Sequence, residues 1–301
     1  MANSGGALVA WGRVLRLSLL PTALADGLAG FALAGLDGLP SGSQLGLFGA
    51  SAGIYHGAMA LNDWSDSHED ADARPDRPIP AGLLQRRTVL AVAIGMIAGG
   101  VLLASSIHPR LGLWMGAIAA LAIGYDLWMR GPFLGPLSLG TCRAMHLAAP
   151  IVLLSFHSLE AYWPICIAYG LFVFTLSSLA RLETLPTALL GRKPVVLLCV
   201  QAAAFCAPLL LAISSGSSRN PWALLILTCF GCYVLLTHAL YKGEWTPERV
   251  QAAVGAALRL LLVFTAAAAL AGAGSFSTTA AVCILTGYPI AHALRKVFPP
   301  T

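Results

Sequence analysis

The sequence contains few charged residues. Only 10% of its 301 residues are Asp, Glu, Lys or Arg, whereas 57% are hydrophobic. A mean hydropathy of +0.77 excludes a disordered chain and an ordinary soluble enzyme. The charges form short clusters, and the apolar runs between them approach the ~20 residues that cross a bilayer. The sequence therefore predicts a single polytopic transmembrane domain over residues 1–301, with the lipid bilayer around it and no nucleic-acid partner.

The sequence also lacks any ordered pattern of cysteines. Its seven cysteines are scattered through the apolar runs. Cys229 and Cys232 form a C-x-x-C motif, but no second pair accompanies it. A zinc or disulfide framework requires paired spacings of this kind. These cysteines are therefore interpreted as helix-interior residues.

Ten apolar segments are predicted to span the membrane. The first continues past the length of a signal peptide and carries Asp26 at its middle, so it is interpreted as a retained span. The last is interrupted by Gly287 and Pro289. Glycines at 49, 53 and 57, at 95 and 99, and at 112 and 116 are expected to let neighbouring helices pack closely. The segments run roughly over 14–36, 45–62, 88–107, 111–129, 133–156, 161–180, 194–214, 221–241, 250–272 and 276–294.

The basic residues indicate the orientation of these spans. Fourteen of the 18 Lys and Arg residues lie in the termini and connections on one side, whereas the other side has only Arg110 and Arg219. Cytoplasmic connections are the ones enriched in Lys and Arg. We therefore expect an integral protein of the bacterial inner (plasma) membrane, with both termini and the active site on the cytoplasmic side.

The main polar segment of the chain covers residues 61–82 and holds six of the 13 acidic residues. Asn62, Asp66 and Asp70 recur every four residues, so a helix would place them on one face. Two Arg-Pro pairs at Arg74 and Arg77 follow, and they are expected to end the helix beside these carboxylates. Oxygen ligands next to arginines suit a Mg²⁺ ion shared with a diphosphate. The alternative is a solvated acidic loop between two spans.

The same segment resembles a known signature. The pattern N-D-x-x-D-x-x-x-D at residues 62–70, followed by R-P-x-R-P-I-P-A-G at 74–82, resembles the first signature of the UbiA superfamily of intramembrane prenyltransferases. The resemblance implies an all-α bundle of nine transmembrane helices around a central cavity, here with a tenth C-terminal segment. It implies Mg²⁺ on Asn62, Asp66 and Asp70, catalytic roles for the two aspartates, and contacts of Arg74 and Arg77 with the diphosphate of an isoprenoid donor. A lipophilic or aromatic acceptor is implied as the second substrate.

A second polar cluster ends the fourth span. Tyr125 and Arg130 match positions at which family members carry a tyrosine and a basic pair, but Met129 replaces the lysine. The resemblance implies a catalytic cavity-wall role for Tyr125 and a diphosphate contact for Arg130. Aromatic and basic residues at this depth also form the belt at a membrane interface, which is the alternative.

A third cluster follows the sixth span, where the family usually carries a second aspartate-rich motif. This chain has Glu183 as its one carboxylate there, with Arg181 before it and Lys193 after it. Glu183 is predicted to be catalytic, whereas Arg181 and Lys193 are predicted to bind diphosphate. Whether one or two metals bind stays open. Glu183 together with Cys142 and Arg143 resembles the EboC-type branch of the superfamily.

Two ionisable residues lie deep within predicted spans, Asp26 in the first and Arg143 in the fifth. His146 follows Arg143 by about one helical turn. Membrane-buried charges cost about 2.5–3.5 kcal/mol each, so they usually face a partner or a cavity. The three residues are predicted to line the acceptor pocket, and an Asp26–Arg143 ion pair is the alternative.

Together these features favour an Mg²⁺-dependent transfer of an isoprenoid group from a prenyl diphosphate to an aromatic or hydroxyl acceptor. A transferase using another phosphate donor is a second possibility, which the first motif alone does not exclude. The third is a non-catalytic binding or transport protein for a lipid diphosphate or lipid product. The missing second acidic motif favours this last alternative.

Overall fold

The computed structural model of the protein describes residues 4–154 and 156–299, and the regular structure in these ranges is helical. Short 3₁₀ segments at Leu17–Leu19, Phe156–Ser158 and Arg181–Thr184 adjoin the longer helices. The α-helices are α1 (Ser4–Val14), α2 (Leu20–Leu33), α3 (Ser43–Ala73), α4 (Arg86–Ile107), α5 (Pro109–Leu127), α6 (Leu134–Leu154), α7 (Leu159–Ala180), α8 (Thr187–Leu190), α9 (Lys193–Phe205), α10 (Ala207–Ser215), α11 (Pro221–Ala239), α12 (Pro247–Leu270) and α13 (Phe276–Val297).

Each of the ten predicted spans contains helix, but not all are equally apolar. Among the described residues, seven helices are long and apolar enough to cross a membrane, or eight if the bent pair α1–α2 is one span. These seven include the consecutive helices α9 and α10 as one span. The long helices α3 and α13 are not in this group. The helices are those of an integral membrane protein, while the expected count of nine or ten spans is not confirmed.

The first span differs from its prediction in one respect. A continuous segment over 14–36 was expected, but α1 and α2 are bent by 54° relative to each other. The bend lies at Arg16, whose φ of 49° is in the left-handed region. A helix cannot continue through a residue in that conformation, so the apolar run is divided near its start.

Two compact units can be distinguished, and the first comprises residues up to 24, 41–128 and 286 onward. In it α3 packs against α4 and α5. A Cβ added to Gly100 would lie 2.7 Å from the carbonyl oxygen of Ala50, and one added to Gly57 would lie 2.8 Å from Ile97. These glycines permit the close α3–α4 contact. Gly95 and Gly99, which were predicted to do the same, have no described atom within 4 Å of such a Cβ.

The second unit comprises residues 25–40 and 129–285. Here α7 packs against α6, α9 and α12, and α11 packs against α9 and α12. Phe264 of α12 stacks on Tyr169 at 5.1 Å between ring centroids, and Phe205 approaches Phe264 at 5.3 Å. In the connection that follows α2, the carboxylate of Asp37 accepts a hydrogen bond of 2.8 Å from the N–H of Ser275. This hydrogen bond lowers the pKa of the Asp37 carboxyl.

Candidate functional site

The predicted polar face lies on one uninterrupted helix. Asn62, Asp66 and Asp70 all lie on α3, which ends at Ala73, directly before the first Arg-Pro pair. Asn62 and Asp66 are half-buried and Asp70 is buried, so these side chains do not belong to a solvated loop. The spacing of four residues therefore places three oxygen-bearing side chains along about two turns of a rigid helix, as expected.

Two arginines lie among these carboxylates. Arg77 forms an ion pair with Asp70 at 2.5 Å and lies 3.8 Å from Asp63. Arg77 is itself buried, whereas Arg74 is exposed at the end of the helix. The second Arg-Pro pair thus brings its cation back onto the helix that it follows. Arg77 is placed beside the predicted metal ligands, while Arg74 faces solvent.

Arg16 is the second arginine that lies among these carboxylates, beside Arg77. Its position there could not be deduced from sequence spacing. Its Nη2 donates to Asn62 Oδ1 and Asp63 Oδ1, both over 3.2 Å. The Nδ1–H of His56 donates to the carbonyl oxygen of Leu15 over 2.7 Å and so holds the chain just before Arg16. The bend between α1 and α2 therefore directs a guanidinium at the polar face of α3.

Asp126 is a further member of the cluster that sequence reasoning missed. It is buried, and its Oδ1 accepts a hydrogen bond of 3.0 Å from the amide of Asn62. Its carbonyl oxygen accepts a 3.1 Å hydrogen bond from Ser65. These bonds fix α5 against α3 and orient the Asn62 amide so that its oxygen faces Arg16.

Arg86, at the start of α4, contacts α3 next to its polar face. Its Nε donates to Ser67 Oγ over 2.8 Å, and its guanidinium lies 4.4 Å from the ring centroid of Trp64. Such a cation–π contact adds roughly 0.5–1 kcal/mol at a partly exposed site. Ser67 and Trp64 flank Asp66 along the chain, so this contact helps to hold the middle of the polar face in place.

The second polar cluster, around the end of α5, contains both half-buried and exposed side chains. Tyr125 is half-buried near the end of α5, and Arg130 is half-buried after it. Trp128 is 78% exposed, which is typical of a residue at the membrane interface. Tyr125 thus stays a candidate for a cavity wall, while Trp128 does not face the interior.

The predicted third cluster surrounds a cavity of about 980 Å³. Arg181 and Lys193 line it, together with Arg192, which was not among the predicted site residues. Glu183 is half-buried on the 3₁₀ turn Arg181–Thr184 and is not among the lining residues. The segment that replaces the second acidic motif is thus a basic cavity wall in this chain.

The deep ionisable residues form one buried group. Arg143 Nη2 lies 3.1 Å from Asp26 Oδ1, and the hydroxyl of Tyr169 donates to the same Asp26 oxygen over 2.7 Å. Arg143 donates to the Tyr169 oxygen over 2.6 Å. His146 is also buried. The ion pair considered above is therefore present, reinforced by Tyr169, and the role of these residues in acceptor binding stays a prediction.

The donor set of α3 fits a hard divalent cation. Among the described residues no three Asp, Glu, His or Cys side chains are grouped as ready metal ligands. However, Asn62, Asp66 and Asp70 supply the oxygen donors that Mg²⁺ prefers. Oδ2 of Asp63 is buried and has no hydrogen-bond partner within the described ranges. In the structure, Arg16 and Arg77 balance the negative charge of Asp63 and Asp70, and a bound cation would take over part of this role.

The family to which the chain belongs follows from a comparison with known protein families. The UbiA prenyltransferase family model matches residues 19–256, which is most of the chain. The chain belongs to the UbiA prenyltransferase family. The superfamily prediction is thus confirmed, and the EboC-type branch stays a prediction.

Relatives of this UbiA-family chain match it over short stretches. It is 39% identical over 82 residues to the digeranylgeranylglyceryl phosphate synthase of Methanosarcina barkeri, which is 27% of this chain and 28% of that relative. It is 30% identical over 80 residues to the bacteriochlorophyll synthase 33 kDa chain of Cereibacter sphaeroides, covering 24% of this chain and 26% of the relative. These alignments therefore span under a third of either relative.

Solved structures show the UbiA fold over most of the chain. A UbiA homologue from Aeropyrum pernix has a TM-score of 0.63 at 19% identity, covering 82% of this chain and 96% of the homologue. A UbiA homologue from Archaeoglobus fulgidus bound to GPP and Mg²⁺ has a TM-score of 0.61 at 14% identity, covering 86% and 99%. At these identities the likeness establishes the all-helical membrane fold.

Proposed function

We propose that this UbiA-family chain is an Mg²⁺-dependent intramembrane prenyltransferase that moves an isoprenoid group from a prenyl diphosphate to an aromatic or hydroxyl acceptor. The observation that carries the proposal is the half-buried face of α3, where Asn62, Asp66 and Asp70 align. Relatives named as synthases of digeranylgeranylglyceryl phosphate and bacteriochlorophyll, and homologue structures bound to GPP or DMAPP with Mg²⁺, support it.

In this proposal the α3 residues hold the donor's head. Asn62, Asp66 and Asp70 would be the ligands of Mg²⁺, which when bound supplies charge neutralisation to the departing diphosphate. Arg77 would exchange its carboxylate partner Asp70 for a phosphate oxygen when the donor arrives. Charge-assisted hydrogen bonds from arginine to phosphate are bidentate and strong, which favours this exchange. Arg74, exposed at the end of the helix, would approach the donor from the solvent side.

Bond breaking leaves positive charge on the allylic carbon as the electron pair departs with the diphosphate. The half-buried ring of Tyr125 would stabilise that charge through its π face. An electron-rich acceptor would then form the new bond and give up its O–H or ring C–H proton. Arg130, Arg181 and Lys193 are proposed as further diphosphate contacts, and Glu183 as a single acidic group of the second motif. Asp26, Arg143 and His146 are proposed to shape the acceptor side.

Orientation follows from the distribution of basic residues. With fourteen Lys and Arg residues on one side and two on the other, we place both termini and the α3 face on the cytoplasmic side of a bacterial inner membrane. The donor would then enter from the cytoplasm, while its tail would lie in an apolar environment.

A carrier of lipid diphosphates is the second candidate. The observation that favours it is the region of residues 181–193, in which Glu183 is the one carboxylate and the cavity wall is basic. A protein with half of the usual acidic ligands could bind a diphosphate and not cleave it. Release of diphosphate in the presence of an acceptor panel separates the two functions, since a carrier releases none.

The donor site can be tested by binding. We expect purified protein in detergent to bind geranyl to geranylgeranyl diphosphate more tightly with Mg²⁺ than with EDTA. Asp66→Ala and Asp70→Ala should each weaken the Mg²⁺-dependent binding by about tenfold or more, because each removes an oxygen ligand. Glu69→Ala is the matched control, since Glu69 lies on the same helix next to Asp70 but is exposed. Unchanged affinity in both aspartate variants would contradict the assignment.

A further inference from the structure

A buried polar stripe on α3 extends beyond the predicted metal ligands. His56, Asp63 and Asp70 are seven residues apart, so the helix places them on one face, and all three residues are buried. The Nδ1–H of His56 donates to the carbonyl oxygen of Leu15 over 2.7 Å, and Asp63 pairs with Arg16 over 3.2 Å. Within the first unit, His56 and Asp63 therefore both face the bend between α1 and α2.

The imidazole of His56 has one ring nitrogen without a partner. A carbonyl oxygen only accepts hydrogen bonds, so the bond to Leu15 requires that Nδ1 carries the proton. In a neutral ring Nε2 is then an acceptor, and this atom is buried with no hydrogen-bond partner among the described residues. A buried acceptor without a partner is unfavourable, and native structures contain few of them. The orientation of the ring thus offers a lone pair to a substrate hydrogen.

His56 lies at the apolar end of this stripe. Residues 45–61 contain no Asp, Glu, Lys or Arg, and His56 is their one basic residue. It precedes Asp63 by two helical turns, which is roughly 10 Å along the axis. With the diphosphate head held at residues 62–70, as proposed, the prenyl chain would extend towards the apolar part of α3. The new bond would form at the first carbon of that chain, on the side of α3 that carries His56.

The carboxylates of the stripe already have partners. Asp70 is paired with Arg77, and the proposed function uses this pair to hold the donor head. Asp63 is paired with Arg16. Imidazole is the side chain most often used as a general base, and a hydrogen bond at its second nitrogen fixes the tautomer that this role needs. His56 meets both conditions.

We propose that His56 is the general base of the transfer and that its Nε2 takes up the proton that the acceptor gives up. The inference rests on the proposed function and adds the group that receives the proton. The bond between the allylic carbon and the diphosphate oxygen breaks, and its electron pair departs with the diphosphate. An electron pair of the acceptor forms the new bond, and the electrons of its O–H or ring C–H bond stay on the acceptor as the proton moves to Nε2. The imidazolium keeps its bond to Leu15 and passes the proton to water when the products leave.

Two substitutions separate a base from a residue that only holds the bend. In His56→Asn, the side-chain N–H lies close to the position of Nδ1 and can keep the bond to Leu15, but no group replaces Nε2. In His56→Gln, an amide oxygen near the position of Nε2 accepts a hydrogen bond but takes up no proton at neutral pH. His68→Gln is the matched control, because His68 lies on the same helix and is exposed.

The assay measures prenylated product in detergent with Mg²⁺ and geranylgeranyl diphosphate. The acceptor probes are 4-hydroxybenzoate as a phenol, a naphthalenediol, and a glycerol monoether phosphate as an alcohol. We expect both His56 variants to lower kcat by about 100-fold or more, because a general base contributes roughly 10²–10⁴-fold. The affinity for the donor, titrated without acceptor, should stay within about twofold, since the base acts only in the transition state. His68→Gln should change neither quantity.

The outcomes distinguish this inference from the proposed function. An unchanged kcat in His56→Asn would overturn the base assignment and leave the prenyltransferase in place. An equal loss in His68→Gln, or a loss of donor affinity that parallels the loss of kcat, would also overturn it. If the unsubstituted chain binds the donor but transfers to none of the probes, the proposed function fails and the base assignment fails with it. Denaturation midpoints are measured alongside, and His56→Gln serves alone if His56→Asn does not fold.

Discussion

At the scale of single residues, Arg16 links backbone strain to the candidate site. It is the one non-glycine residue with positive φ in the described ranges, at 49°. This conformation costs an L-residue roughly 1–2 kcal/mol. It persists because the guanidinium bonds to Asn62 and Asp63, and because His56 holds the preceding carbonyl group. The strain is thus offset by contacts to the polar face of α3.

Two substitutions of Arg16 separate strain from charge. Arg16→Ala and Arg16→Gly both remove the ion pair to the buried Asp63, so both should lower the denaturation midpoint in detergent. Arg16→Gly should be more stable than Arg16→Ala by about 1 kcal/mol, because glycine adopts the left-handed region without strain. Equal midpoints for the two variants would show that the backbone at this position is not strained in solution.

The residues of the site differ in how readily the sequence reveals them. Asn62, Asp66 and Asp70 are four residues apart, so helical periodicity alone predicts that they share a face, and the structure places them on one helix. Arg16 and Asp126 reach Asn62 from sequence separations of 46 and 64 residues. Only the tertiary packing of α1 and α5 brings them there, and no local spacing encodes that packing.

At the scale of helices, the contact of α3 with α4 determines how firmly the polar face is held. The helix that carries Asn62 packs its earlier turns against α4, where Gly53, Gly57 and Gly100 remove the side chains that would separate the backbones. The sequence pattern correctly predicted Gly53 and Gly57 at this contact but missed Gly100. Gly95 and Gly99 have the same GxxxG spacing and face away from any described neighbour.

Gly100 and Gly99 therefore form a matched pair for a stability test. A methyl group at Gly100 would meet the Ala50 carbonyl oxygen at 2.7 Å, a backbone atom that cannot rotate away, so Gly100→Ala should cost about 1–3 kcal/mol. Gly99→Ala meets no described atom and should be neutral or stabilising by up to about 1 kcal/mol, since alanine favours helix. Thermal denaturation in detergent measures both. A destabilised Gly99→Ala with a tolerated Gly100→Ala would contradict this packing.

Helix ends were predicted more reliably than helix breaks. The Arg-Pro pairs end α3 at Ala73 because proline disfavours helical conformation in the residue before it. The breaks at Arg16 and at Cys206, between α9 and α10, lie inside apolar runs. A hydropathy pattern is insensitive to such breaks, because the polarity of the chain does not change where its direction does.

At the scale of the whole molecule, the asymmetry of basic residues predicts the orientation in the membrane. Ser41, before α3, lies in a connection that should face outward, and Glu244, between α11 and α12, lies in one that should face the cytoplasm; both residues are exposed. We expect Ser41→Cys to react with a membrane-impermeant maleimide in intact cells and Glu244→Cys to react only after permeabilisation. The unsubstituted chain is the control, because its exposed cysteines at 199, 229 and 283 lie within the predicted spans. Labelling of Glu244→Cys in intact cells would reverse the topology and place the face of α3 outside, where cytoplasmic prenyl diphosphates do not reach it.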